Sequence, residues 1–315
     1  MLFIPQVIVA FGIITINEYF CFGIPGDKGL ILGIWNPATI ATITEIPRAK
    51  ASYFTKLSTS LDPSNVKITS IASDEKNKNV FFAIQNSICV FQNFNIWQNE
   101  SKAITLSLAY TGKSAAFGQI TFDFVSNNLY WCDSLLNWIA MKPAYGNDSI
   151  HRIVVQDDLY QPEGLALDPE DGLMFFSDND INPRIEKASM NGENRTVIVH
   201  TSIIQILALS VDTANDLLYW ADHGRQTVEV SHYDGSNRRV LRRNNQVSLT
   251  GIHYHQNILH AASASSDQIF GFDATSGSVL YKLKMAFAQP FAVHVYDAET
   301  AVSFSAPCSS RGCQH

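Results

Sequence analysis

Charge is scarce in this chain. Only 16% of its 315 residues are charged, and acidic residues outnumber basic ones by 29 to 22, a net charge of −7. A chain with that balance lacks the basic face that neutralises phosphates, which excludes bulk nucleic-acid binding. It leaves room for a local acidic patch meeting a basic partner. Five cysteines are too few for a disulfide scaffold. No apolar run reaches the about 20 residues that a membrane-spanning helix needs, and no helix-period stripe is sustained. The common catalytic signatures Gly-x-Gly-x-x-Gly, His-Glu-x-x-His and Gly-x-Ser-x-Gly are missing. Gly112-Lys113-Ser114 ends like a phosphate loop, but that motif needs a glycine five residues before Gly112, and position 107 is Ser. What is abundant is apolar residue, 46% of the chain, enough for the core of one large all-β domain or two average domains.

The amino terminus is apolar from residue 2 to 16, followed by Asn17 and Glu18. That length fits the core of a secretory signal peptide, with Cys21 and Gly23 as the small residues of a cut after Gly23. A basic residue ahead of the run is missing, so a buried strand or a membrane anchor remains open. The sequons at Asn99, Asn147 and Asn194 agree with secretion. Removal of residues 1–23 leaves Cys89, Cys132, Cys308 and Cys313.

The middle of the chain repeats. An Asp is followed seven residues later by an aromatic pair: Asp74 by Phe81-Phe82, Asp123 by Tyr130-Trp131, Asp168 by Phe175-Phe176, Asp212 by Tyr219-Trp220. Successive Asp residues stand 49, 45 and 44 apart. The blocks continue as Tyr130-Trp131-Cys132-Asp133, Phe175-Phe176-Ser177-Asp178 and Tyr219-Trp220-Ala221-Asp222, with a decayed fifth copy from His260 to Ser263. Each copy reads as four short strands: an alternating one such as 165–168, the aromatic one, one around Ile185, Val228 or Ile269, and one such as 196–199. Turn dipeptides Asn191-Gly192, Asp234-Gly235 and Ser276-Gly277 precede the last. Four strands every 44 or so residues is the pattern of a β-propeller blade. Five copies lie between about 50 and 285; a sixth first strand, 291–295, finds its missing strands at 30–32 and 42–46. Both chain ends are therefore predicted to share one blade, closing a six-bladed all-β ring without free sheet edges.

These blocks resemble the Tyr-Trp-Thr-Asp repeats of low-density lipoprotein receptor class B. The resemblance is strongest over 158–192 and 212–241, and Pro307-Cys308 with Gly312-Cys313 resembles the opening of the EGF-like module that follows such propellers. It implies a signal peptide at 1–23, a propeller at 24–300 and a linker with the truncated start of an EGF-like module at 301–315. It also implies structural roles for the motif: the aromatics Tyr130, Trp131, Phe175, Phe176, Tyr219 and Trp220 pack the blades, and Asp133, Asp178 and Asp222 tie neighbouring strands. Cys132 replaces the motif Thr as a small buried residue; a Cys89–Cys132 bridge is the alternative.

Propellers of this family bind on the mouth that precedes each first strand. The positions here include Tyr160, Glu163 and Leu207. Wnt co-receptor and nidogen propellers place a basic residue and an Asn near these points and grip an Asn-x-Ile peptide. Glu163 and Leu207 do not supply those donors, since a carboxylate only accepts hydrogen bonds. An acidic or apolar mouth suits a basic or hydrophobic partner. His253, His255, His260 and His294 cluster in the last two copies and are candidate sensors of endosomal pH, which histidines of the family's endocytic receptors resemble. The resemblance implies an extracellular protein ligand or adjacent receptor modules as partners, no cofactor, no catalysis and no membrane insertion by the propeller. The protein is expected to be secreted, or to form the ectodomain of a surface receptor that cycles through endosomes. A secreted nidogen-like matrix linker and a metal-dependent propeller hydrolase are the alternatives. The hydrolase needs carboxylates converging on the channel, whereas the Asp residues here occupy repeat-equivalent positions.

Overall fold

The computed structural model describes residues 14–16, 28–34, 39–43, 52–56, 67–84, 87–94, 107–113, 116–146, 150–243, 247–285 and 289–297. They form strands and turns only, in six antiparallel sheets. Among them no helix is long and apolar enough to cross a membrane. Blade 1 contains Ile68–Asp74, Asn79–Ile84, Ser87–Phe91 and Ser107–Thr111; blade 2 contains Phe117–Asp123, Asn128–Asp133, Trp138–Pro143 and Arg152–Val155. Blade 3 is built from Pro162–Asp168, Leu173–Asp178, Arg184–Ser189 and Thr196–Val199, and blade 4 from Ile206–Asp212, Leu217–Asp222, Thr227–His232 and Arg239–Arg243. Blade 5 comprises Gly251–His255, Ile258–Ser263, Gln268–Asp273 and Val279–Met285. The first strand of each blade is innermost, and each inner strand packs against the next around a closed ring.

Blade 6 joins the chain ends. Its inner strand Pro290–Asp297 pairs with Lys28–Ile34, which pairs with Thr39–Ile43 and then Ser52–Lys56. The shared blade is thus present, with two shifts from the sequence reading. Its third strand is 39–43 rather than 42–46, because pairing Leu30 with Ile43 chooses one register among several β-prone windows. Residues 52–56 belong to this blade and not to the first repeat copy. Ile14–Ile16, inside the expected leader, lies antiparallel to the outer strand of blade 5.

The six apolar clusters are the six blade-to-blade interfaces, which explains the paired aromatics. Adjacent residues on a strand point to opposite faces. Trp131, Phe176 and Trp220 therefore face the preceding blade, and Tyr130, Phe175 and Tyr219 the following one. All six are essentially buried. Each such ring contributes about 1.5–3 kcal/mol of burial. Cys132 fills the same interface as Tyr130, and both Cys89 and Cys132 are free and buried; no bridge joins them.

The turn glycines are dictated twice over. Gly192, Gly235 and Gly277 have φ of +90°, +81° and +71°. A Cβ on each would sit 2.1 Å from a carbonyl oxygen of the preceding blade's outer strand, on Val154, Ile198 and Leu241 respectively.

Candidate binding mouth

Two kinds of loop converge at one end of the ring: those entering the inner strands and those joining second to third strands. On blades 2 to 4 they expose apolar side chains. Leu135 is 66% exposed, Ile181 88%, Ile204 56%, Tyr160 51% and Leu136 36%. These are five of the fourteen large apolar side chains exposed among the described residues; Phe124, Val125, Tyr145 and Ile150 lie in loops at the opposite end and the other five on outer strands. A group of exposed hydrophobics on one rim is a candidate interaction surface.

The motif carboxylates hold this rim. Asp178 accepts the backbone N–H of Gln161 at 2.7 Å and of Tyr160 at 3.3 Å. Asp222 does the same for Ile204 at 2.9 Å and Gln205 at 3.2 Å, and also accepts from Arg225 N. Asp133 accepts from Leu135 and Leu136 N–H at 3.1 and 2.9 Å. Each buried carboxylate thus fixes the backbone of a residue that carries an exposed apolar side chain. Asp178 and Asp222 accept on both oxygens, whereas Asp133 accepts on Oδ1 alone and its buried Oδ2 has no partner among the described residues.

A second device was missed by the sequence reading. Glu186 and Glu229, both buried, anchor arginines beneath these loops. Arg195 bonds Glu186 through Nε at 2.9 Å, lies 5.5 Å over the Phe176 ring and donates to the carbonyls of Asp157 and Asp158. Arg238 repeats this one blade later with Glu229, the Trp220 ring at 5.3 Å and the carbonyls of Thr201 and Ser202. Arg184 and Arg225 add ion pairs to the same glutamates. The available signal was Gly-x-Asn-Arg at 192–195 and again at 235–238.

Glu163 and Leu207 are half-buried beside this rim. Burial raises the Glu163 carboxyl above its usual range, opposed by hydrogen bonds from Gln161 and Asn179. Asn179 also bridges to blade 4, donating to Ile206 O and accepting from Ile206 N at 2.9 and 2.8 Å. Inside the ring the inner strands enclose a channel cavity of about 240 Å³. Gln119 crosses it: its oxygen accepts from Leu165 N and Leu209 N, and its nitrogen donates to Leu209 O, all at 2.9 Å. One amide thereby links blades 2, 3 and 4, a role that a lone Gln in sequence does not signal.

The four histidines meet where blades 5, 6 and 1 adjoin. His253 and His294 rings pack edge to face with centroids 4.3 Å apart. His294 Nε2 lies 2.5 Å from Ser73 Oγ and 3.9 Å from a Glu75 oxygen. His253 and His260 are opposite partners on adjacent strands. His255 Nε2 is 3.0 Å from Asp297 Oδ2, and His260 Nδ1 meets the Tyr281 hydroxyl. Burial, then the neighbouring His294, His255 and His260, holds His253 well below the ordinary imidazole range. Burial and His255 lower His260 to about 3. Both are neutral bases at neutral pH.

Asn194 is exposed in its turn, with Nδ2 donating to Ser189 Oγ at 3.0 Å. Asn99, Asn147, Cys308 and Cys313 lie outside the described residues.

The low-density lipoprotein receptor repeat class B model matches residues 127–169. Over 200 residues, 62% of this chain, the sequence is 28% identical to low-density lipoprotein receptor-related protein 5 of Mus musculus, of which it spans 12%. It is 26% identical over 194 residues to the vitellogenin receptor of Solenopsis invicta, spanning 11% of that protein. In fold it is similar to a chain in the crystal structure of a nidogen/laminin complex, with a TM-score of 0.72, 16% identity and coverage of 86% of this chain and 99% of that one.

Proposed function

The chain is a six-bladed propeller carrying a class B low-density lipoprotein receptor repeat and homologous to receptor-related protein 5 and the vitellogenin receptor, and from that premise we propose that it is an extracellular protein-interaction module. It binds its ligand through the mouth of blades 2 to 4 and performs no catalysis. The observation that carries this reading is the apolar rim of Leu135, Leu136, Tyr160, Ile181 and Ile204, all but Ile181 on backbone pinned by Asp133, Asp178 and Asp222. A rim ordered before binding loses little conformational entropy on association. With Glu163 at its edge and no basic residue at that position, the mouth fits a ligand that offers an apolar side chain beside a cation. The module works within an endocytic or signalling receptor. The histidine seam of His253, His255, His260 and His294, faced by Glu75, Asp297, Ser73 and Tyr281, makes it sensitive to endosomal acid.

Ile204→Asp and Tyr160→Asp in the secreted module test the mouth. A ligand identified by proximity labelling on cells should bind each variant at least tenfold more weakly, while Val125→Asp on the opposite face binds normally. Loss only with Val125→Asp would place binding on the other face and overturn the reading. The likeness to a nidogen-complex chain favours a second reading, a matrix linker without endocytosis. A membrane span encoded downstream in the transcript decides for the receptor.

A further inference from the structure

The face opposite the mouth carries a hollow between blades 1 and 2, about 400 Å³ in volume, lined by Asn77, Asn79, Gln92, Asn93 and Tyr145. Its lining is four carboxamides and one phenol ring, with no charged group and no aliphatic one. Asp74 lies below, buried, and is already engaged: it accepts from Asn77 N at 3.1 Å, from Asn77 Nδ2 at 2.7 Å and from the Tyr145 hydroxyl. Asn79 donates to that same hydroxyl at 2.8 Å. The phenol is thus anchored by its oxygen, with 40% of the residue exposed.

We propose that this hollow binds a neutral carbohydrate, of the kind found in the N-acetylglucosamine core of a glycan. A carboxamide offers a donor pair and an acceptor side by side, which matches neighbouring sugar hydroxyls and an acetamido group; Gln92 and Asn93 present such groups, while Asn77 and Asn79 each give one amide proton, to Asp74 and to Tyr145 respectively. An immobilised aromatic ring provides the flat apolar surface on which a sugar's C–H face stacks. An anion would find no cation in this lining, and an alkyl chain would find no apolar wall.

The interface between blades 3 and 4 supplies the contrast. There Tyr233 makes the same bond, its hydroxyl donating to Asp168 Oδ2 at 3.0 Å. Yet Tyr233 is only 7% exposed, and the positions of Asn77 and Asn79 are held by Asp171 and Leu173. The tyrosine–aspartate link between blades therefore requires neither carboxamides nor an exposed ring. Both occur together at the hollow. The sequon Asn147-Asp148-Ser149 begins two residues after Tyr145 in the chain. The sugar is therefore either the chain's own glycan on Asn147 or a glycan borne by another molecule.

The test titrates N,N′-diacetylchitobiose into the secreted module, wild type and Asn147→Gln, by saturation-transfer NMR and calorimetry. Binding to Asn147→Gln alone supports the proposal with the chain's own glycan as occupant. Binding to both forms supports it with a glycan from outside. In the Asn147→Gln background, Asn79→Leu and the surface variant Gln92→Ala should each weaken binding at least tenfold, with unfolding midpoints recorded alongside. No binding by Asn147→Gln overturns the proposal, and so does binding that neither variant weakens.

Discussion

Acid should loosen the seam between blades 5 and 6 by an amount that buried His260 sets, with half-buried His253 beside it. His253 and His260 are neutral in the folded protein, held there by burial and by one another's neighbours. In the unfolded chain each returns to an ordinary pKa of about 6.5. A base whose folded pKa is depressed contributes full stability above 6.5, and loses it as pH falls from there toward the folded value, about 3 for His260. At pH 5.5 an unfolded imidazole is about ten-to-one protonated, which favours unfolding by RT ln 11, about 1.4 kcal/mol; at pH 7.4 the figure is about 0.1. The difference is about 1.3 kcal/mol for His260; His253, lowered in the same direction by burial and its histidine neighbours, acts with the same sign. A substitution isolates the buried term: His260→Phe keeps a ring of similar size and cannot titrate. Guanidinium unfolding at pH 7.4 and 5.5 should show the wild type losing about 1.3 kcal/mol more than His260→Phe across that interval. Equal losses in the two proteins, within about 0.3 kcal/mol, would refute the assignment of His260 as a buried neutral base.

Three further outcomes follow from the geometry. Gly235→Ala forces a side chain into positive φ and onto the Ile198 carbonyl, and should destabilise the propeller by about 2 kcal/mol or more in denaturant titration. Asp222→Asn keeps one acceptor oxygen where three backbone N–H groups now converge; it should lose about 1–2 kcal/mol, with hydrogen exchange accelerating at Ile204 and Gln205 before blade cores respond. Burial pushes the Cys89 thiol up to about 11 and Cys132 well above the usual thiol range, so neither should react with iodoacetamide at pH 8 until the protein unfolds. Prompt labelling of the native protein at either cysteine would contradict its place in the interface.

The repeat was legible because its cause is local. Alternation with period two separates Trp131 from Tyr130 onto opposite faces, so a blade that packs between two neighbours needs two adjacent aromatics, and the chain displays them every 44 or so residues. The shared blade was legible from strands missing at one end and surplus at the other, though not in register, since Thr39–Ile43 and 42–46 are equally β-prone until pairing with Lys28–Ile34 selects one. The motif aspartates were legible as structural residues, but which loops they pin was not.

Beyond the strand pairing of the shared blade, side-chain contacts between distant parts of the chain were not legible. Spacing alone placed His253, His255, His260 and His294 in the last two blades. Closing the ring brought His294 to Ser73, 221 residues away, with Glu75 beside them. The arginine–glutamate clamps escaped for a related reason: a charged residue near a turn is usually solvated, and only the entering loops, whose carbonyls accept from them over Phe176 and Trp220, make Arg195 and Arg238 half-buried anchors. The sequence by itself determined the blade, because strand period and turn chemistry act over a few residues. The ring decided the mouth, the seam and the hollow, because each is assembled from several blades that only closure brings together.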